Sequence, residues 1–220
     1  LVNQVGSPEN RQAFARFSLY ALAQVDPSLA FNAMQALSEK SGFDQSSLKR
    51  IQESMLLGMG ISDPDSALGA IEMRFHGDEL VSALIAIAQG AAVKDLEKSL
   101  EILNRISSTS QKNEALASIL GTSGFRDFNV ISSTISKMDG NTIMSLLQAD
   151  KPGRFREALF KGDPVSVRRA LDATILTPST EPYFSQYSNE LAKTNPESAF
   201  EFVLSTPASP IRERMLGSMF

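Results

Sequence analysis

The feature that most constrains this chain is a helix-start signal that returns at near-regular spacing. It is written Asp26-Pro27, Asp63-Pro64, Asp163-Pro164 and Asn195-Pro196, and without the proline as Asp95-Leu96 and Asp127-Phe128. Successive gaps are 37, 32, 32, 36 and 32 residues. Asp or Asn at an N-cap accepts a hydrogen bond from a first-turn amide that has no partner inside the helix. Proline one residue later brings a suitable φ and has no N–H to leave unsatisfied. A fixed period of this length is the mark of a repeat architecture built from one supersecondary unit.

Aligning the copies on the cap exposes a common face. Eight residues past it stand Met34, Ile71, Leu103, Ile135, Leu171 and Val203, all large and apolar. Four past it stand Ala30, Ala67, Ser99, Ile131, Val167 and Ala199, all small or β-branched. Seven past it stand Ala33, Ala70, Ile102, Thr134, Ala170 and Phe202. Offsets of four, seven and eight trace one stripe of an α-helix. Small residues on that stripe predict a close neighbour. Six past the cap the chain is polar or mixed, with Asn32, Gly69, Glu101, Ser133, Arg169 and Glu201.

Each period has room for a second helix, and the pattern places these over 46–60, 78–92, 111–120 and 183–193. A helix over 9–24 reads as a second helix without its partner, and one over 211–220 closes the last pair. Ser41-Gly42, His76-Gly77, Gly121 to Gly124, Asp139-Gly140 and Gly162-Asp163 read as turns or helix ends. The interval from 127 to 163 contains Asp150-Lys151-Pro152-Gly153, which implies either a broken helix or an inserted turn, with a bend near 150–162. No segment alternates as a strand does. The expectation is therefore an all-α chain: one domain over 1–220, a right-handed superhelical solenoid of about six antiparallel helical hairpins with a period of 32–37 and about 13 helices.

Helical hairpins of this length with a proline at a helix start resemble the tetratricopeptide and HEAT-like repeats. The likeness runs from about Glu9 to Phe220 and is architectural. The tetratricopeptide order of Trp, Leu-Gly and Tyr is missing, and the chain has no Trp. The resemblance implies a surface that binds peptides or proteins, and fold alone does not fix function.

Composition narrows the chemistry. With no cysteine, disulfides, thiolate metal sites and thiol nucleophiles are excluded. The single histidine, His76, falls in a turn, and no G-x-S-x-G nucleophile motif occurs in the chain. Asp63, Asp65 and Ser66 lack the glycine and distal glutamate of a calcium loop, and no phosphate-binding glycine motif occurs. We therefore expect no catalytic set, no cofactor and no metal. A net charge of -4 argues against a nucleic-acid groove. Against that balance, 151–169 carries Lys151, Arg154, Arg156, Lys161, Arg168 and Arg169 with only Glu157 and Asp163 as acids. Arg168 stands in a column occupied elsewhere by Phe31, Leu68 and Leu100.

The functional expectation is a non-catalytic protein or peptide interaction module or scaffold. Its candidate surface is Glu101, Asn104, Arg105, Arg168, Arg169 and Asp172. Alternatives are a HEAT-like protein acting on nucleic acid, resting on the basic segment and Phe155, and an accessory domain of a larger exported protein. The exported reading follows from Leu1 at the start, which fits a removed leader. No run is long and apolar enough for a membrane span. The apolar end, Met215-Leu216-Gly217-Ser218-Met219-Phe220, suggests self-association.

Overall fold

The computed structural model describes residues 6–40, 42–126 and 128–218. Among them are fourteen helices and no strand. In chain order they are α1 (Pro8–Val25), α2 (Pro27–Lys40), α3 (Gln45–Ser62), α4 (Pro64–Glu72), α5 (Gly77–Ala91), α6 (Leu96–Leu103) and α7 (Thr109–Arg126). There follow α8 (Phe128–Ser136), α9 (Gly140–Ala149), α10 (Arg154–Gly162), α11 (Pro164–Asp172), α12 (Glu181–Thr194), α13 (Pro196–Ser205) and α14 (Pro210–Gly217). The chain divides into two compact units, 1–115 and 116–220, with the border inside α7.

The recurring Asp or Asn is more than a cap. At Asp26, Asp63, Asp163 and Asn195 it is the single residue between the end of one helix and the start of the next. Asp95 has the same backbone, reached through a short turn after α5. In these five copies φ lies between −150° and −143° and ψ between 75° and 98°. The residue's own N–H donates back to the preceding helix at 2.7–2.9 Å, as in Asp26 to Leu22 and Asn195 to Leu191. Its carbonyl accepts the amide four residues on. Its side-chain oxygen accepts the amide three residues on, from Leu29, Ser66, Lys98, Ser166 and Ser198, at 2.9–3.0 Å. One residue thus satisfies the open ends of two helices at once. Asp127 lies outside the described residues.

This hinge reassigns the hairpins. The helix over 9–24 is not unpartnered: α1 folds onto α2 through Asp26. The count of about 13 helices becomes fourteen among the described residues because, of the broken helix and the inserted turn expected between 127 and 163, the chain has the broken helix. Pro152 cannot continue α9, and Gly153 turns the chain in the left-handed region at φ 73°. The side chain of Asp150 then accepts the amide of Arg156 at 2.8 Å and restarts the helix as α10. Gly121 to Gly124 is not a turn, since α7 runs on to Arg126. Gly121 is instead a contact point in which a Cβ would come within 2.7 Å of the Phe155 backbone nitrogen.

The predicted stripe is the core at offsets four and eight, while at offset seven Ile102, Ala170 and Phe202 are buried and Ala33, Ala70 and Thr134 half-buried. Ala30, Ala67, Ser99, Val167 and Ala199 are all 0% exposed. The Ile131 side chain lies outside the described residues. Ile71, Leu103, Ile135, Leu171 and Val203 are buried, whereas Met34 is half-buried.

In the first unit α1 packs on α3 and α3 on α5, with α2, α4 and α6 joined to them as hairpin partners. Glycines set the closeness of this stack. Gly58 faces the backbone of Tyr20, and Gly60 and Gly90 bring α3 and α5 into backbone contact. In the second unit α11 packs on α9, α10 and α12, and α13 and α14 pack on α12 and on each other. Packing within each unit therefore runs from neighbour to neighbour, the local arrangement from which helical-hairpin repeats are built.

Candidate functional site

The predicted surface residues fall into two groups, each bound into contacts between neighbouring helices. In the first unit, Glu101 and Arg105 are exposed on and just after α6. Lys98 reaches Asp65 of the preceding short helix at 2.7 Å and Glu101 at 3.0 Å. Asp65 first, and Glu101 after it, hold the Lys98 ammonium above its usual range. Arg105 pairs with Glu72 at the end of α4. Asn104 is the C-cap of α6 and is exposed. The face is thus a ladder of ion pairs linking one hairpin to the next, a weak kind of contact where solvent reaches it.

In the second unit, Arg168 bonds Asp172 at 2.7 Å and lays its guanidinium 4.9 Å from the centre of the Phe202 ring. That ring also meets Tyr187 edge-on at 4.8 Å and stacks on Phe184 at 6.0 Å. A charge can occupy this usually apolar column because its planar head covers an aromatic face. Arg169 turns inward. Its guanidinium donates to the carbonyls of Ser136 at 3.0 Å and Ile135 at 3.4 Å, and to the Ser166 hydroxyl at 2.8 Å. It caps the C-terminal end of α8, sharing the Ile135 carbonyl with the Met138 amide, at a helix end where positive charge is favourable.

The other basic residues of 151–169 are partly engaged as well. Lys161 pairs with Glu157 at 2.7 Å, and Arg156 lies 5.9 Å from the Tyr183 ring centre. Phe155 is fully buried. Among the described residues no group of three His, Cys, Asp or Glu side chains is placed to hold a metal ion, and no helix is long and apolar enough to cross a membrane. Met215 is buried, while Met219 and Phe220 lie outside the described residues.

Two clefts lie elsewhere, on either side of α3 in the first unit. One cleft of about 260 Å³ lies between α2, α3 and the segment after α4. It is lined by the apolar side chains of Phe31, Met34, Met55 and Phe75, with Asn32, Gln35, Ser38 and Gln52 beside them. The Arg74 guanidinium lies 4.6 Å from the Phe31 ring centre and donates to the Ala70 carbonyl at 3.1 Å. A second cleft of about 310 Å³ lies between the N-terminal turns of α3 and α5. Its apolar lining is Leu48, Leu56 and Ala83. Its polar residues are Gln45, Lys49, Gln52, Glu53, Asp78, Glu79 and Ser82. Gln52 belongs to both clefts.

Sequence reasoning passed over these residues. Met34 sits in the fully apolar column and Met55 on a core stripe, so both read as core. Phe75 reads as part of a turn. The one usable signal is that Met34 is the sole unbranched, flexible side chain in its column, the kind that fills an irregular or open gap. Compared with protein-family models, with curated proteins and with solved structures, the chain matches none.

Proposed function

We propose that this protein is a non-catalytic peptide- or protein-binding module, and that the paired clefts flanking α3 are its recognition site. The observation that carries this is the lining of the first cleft. Two phenylalanines and Met34 line a concave surface floored by the buried Met55, whose other residues are amides, a hydroxyl and the Arg74 guanidinium, with Gln52 leading into the second cleft. Apolar pockets with a few polar groups are the common form of a binding site. Methionine suits such a surface because its unbranched, polarisable chain adapts to the partner. Asn and Gln side chains can both donate to and accept from a peptide backbone.

The second cleft adds a charge preference. Glu53, Asp78 and Glu79 face only Lys49 among its lining residues. The favoured ligand is a segment with a large apolar side chain for the first cleft and a Lys or Arg nearby for the second. The likeness to tetratricopeptide and HEAT-like repeats, whose members generally bind peptides or protein surfaces, supports the same reading. So does the neighbour-on-neighbour packing of the hairpins.

The test is a selection from a displayed random-peptide library on the 220-residue chain, followed by titration of the recovered peptides. We expect a consensus pairing an apolar with a basic residue. We also expect affinity to fall about ten-fold in Phe75→Ala or Gln52→Ala. Recovery of no consensus, or peptides whose binding ignores both substitutions, would refute the assignment.

A further inference from the structure

Among the described residues, Arg74 and Arg168 are the arginines that lie closest over an aromatic ring, 4.6 Å from the centre of Phe31 and 4.9 Å from that of Phe202. Stacking occupies a face of the planar guanidinium and leaves its N–H groups directed outward in the plane. In Arg168 that edge is completed within the chain, where Nε donates to Asp172 Oδ1 at 2.7 Å. In Arg74 it is not. Nη1 donates to the Ala70 carbonyl at 3.1 Å, and the remaining N–H donors have no partner among the described residues.

The surroundings do not neutralise this charge. Arg74 is the one charged side chain among the described residues that line the first cleft. The acids of the neighbouring helices are engaged elsewhere. Glu72 pairs with Arg105, and Glu39 accepts from the Gln35 amide at 3.2 Å. Glu53, Asp78 and Glu79 line the second cleft. A ring under one face and a carbonyl at one corner hold the guanidinium in place beside Phe31 and Phe75. A group that pairs with it therefore meets an orientation already set, which lowers the cost of ordering on binding.

We propose that Arg74 is the specificity-determining residue of the first cleft, and that it pairs with an Asp or Glu side chain flanking the apolar residue seated there. This rests on the peptide-binding reading of the clefts and adds a third requirement to it. The chain itself supplies the precedent: ring, guanidinium and carboxylate are assembled at Phe202, Arg168 and Asp172. At Arg74 the ring and the guanidinium are in place, and the bound segment brings the carboxylate. A carboxylate fits better than a phosphate. One guanidinium among uncharged amides and a hydroxyl matches a single negative charge, whereas a phosphate carries about two and calls for a cluster of arginines. The favoured segment thus carries an acid on one side of a large apolar residue and a base nearby for the second cleft.

The test selects the displayed random-peptide library in parallel on the wild-type 220-residue chain, Arg74→Gln and Arg74→Lys, with circular dichroism to confirm unchanged helix content. Arg74 is exposed, so each variant should fold. We expect Asp or Glu beside the apolar residue in the wild-type pool. The Arg74→Gln pool should keep the apolar and basic residues and lose the acid. Arg74→Lys, which keeps the charge without the planar fork, should show a weaker enrichment. Peptides from the wild-type pool are then titrated as synthetic C-terminal amides, beside versions with the acid changed to its amide. That change should weaken binding about five-fold on the wild type, the upper end for an exposed pair, and should cost nothing further on Arg74→Gln. The coupling separates a direct contact from a general loosening of the cleft. An apolar and basic consensus with no acidic preference would overturn the proposal and leave the binding reading standing. So would an acidic preference that persists in Arg74→Gln, or peptides that bind only with a free C-terminal carboxylate. A pool with no consensus would remove the binding reading and this proposal with it.

Discussion

Replacing Gly60 by alanine should destabilise the first unit, although alanine is the better helix former. A Cβ at Gly60 would overlap the carbonyl oxygen of Ile87 and sit 2.9 Å from that residue's carbonyl carbon and Cα. These are backbone atoms of α5 and cannot rotate away. Relief requires the two helices to move apart by roughly 0.5–1 Å, which forfeits a quarter to a half of each contact across the gap. The seam holds Leu56, Met59 and Ile87, each 2% exposed or less. Overpacking generally costs about 1–3 kcal/mol, and a backbone obstacle belongs at the upper end. Helix propensity returns about 1 kcal/mol, so the net loss is about 2 kcal/mol. The internal control is Gly69→Ala on α4, where a Cβ meets nothing within 4 Å. That substitution should stabilise by about 0.5–1 kcal/mol. Urea unfolding followed by circular dichroism reads both: with a slope of ~1–3 kcal/mol/M, Gly60→Ala should lower the midpoint by about 1 M and Gly69→Ala should raise it. Gly90, whose Cβ would come within 2.9 Å of the Gly60 Cα, should couple to Gly60. The double alanine variant should lose less than the two single losses combined, because the helices are already parted. Equal stabilities for Gly60→Ala and Gly69→Ala would refute the close approach of α3 and α5.

Further outcomes follow from single side chains. The Asp63 carboxyl is held below its usual range, first by the Ser66 hydroxyl and then by the Ser66 amide. That stabilisation is present above the unfolded value, near 3.8, and is lost as pH falls through the lower folded value. Melting temperature should therefore drop more steeply below about pH 4 in the wild type than in Asp63→Asn, which keeps the cap acceptor but does not titrate. Among the described residues the Ser99 hydroxyl is buried without a hydrogen-bond partner, in a column that holds alanine at 30, 67 and 199. Ser99→Ala should raise stability by about 1 kcal/mol, measured by urea unfolding. Arg169→Ala should lower the stability of the second unit by about 1–2 kcal/mol through loss of the bonds to Ser136 and Ile135. Arg169→Lys should recover little, since one ammonium lacks the fork that reaches two carbonyls and a hydroxyl.

The hairpins were legible because their signal is local. An N-cap acts through an amide three residues away, and a small residue four past the cap reports a close neighbour. Both are visible in a single sequence. The broken helix at 150–153 was half legible: Pro152 and Gly153 forbid a continuous helix, but only the side-chain bond from Arg156 to Asp150 shows how the chain restarts. Glycines misled where their role is tertiary. Gly121 looks like a turn residue, and what makes it a packing residue is the backbone of Phe155, thirty-four positions away. The candidate clefts were hidden for a related reason. Met34, Met55 and Phe75 are ordinary core residues by type, and the cleft exists because residues of α2, α3 and the segment after α4 leave a gap.

These observations explain how the chain repeats its shape with so little repeated sequence. The hinge asks for one acceptor side chain able to take extended φ, which Asp and Asn both supply. The position four past it asks only for a small or β-branched side chain that tolerates complete burial, met by Ala, Ser and Val. The position eight past it asks for a large apolar side chain, met by Ile, Leu, Val and Met. The column five past it is looser, so Arg168 can replace an apolar residue where Phe202 offers a ring beneath it. The same freedom lets the first hairpin depart from its successors: its half-buried Met34 leaves room for a cleft.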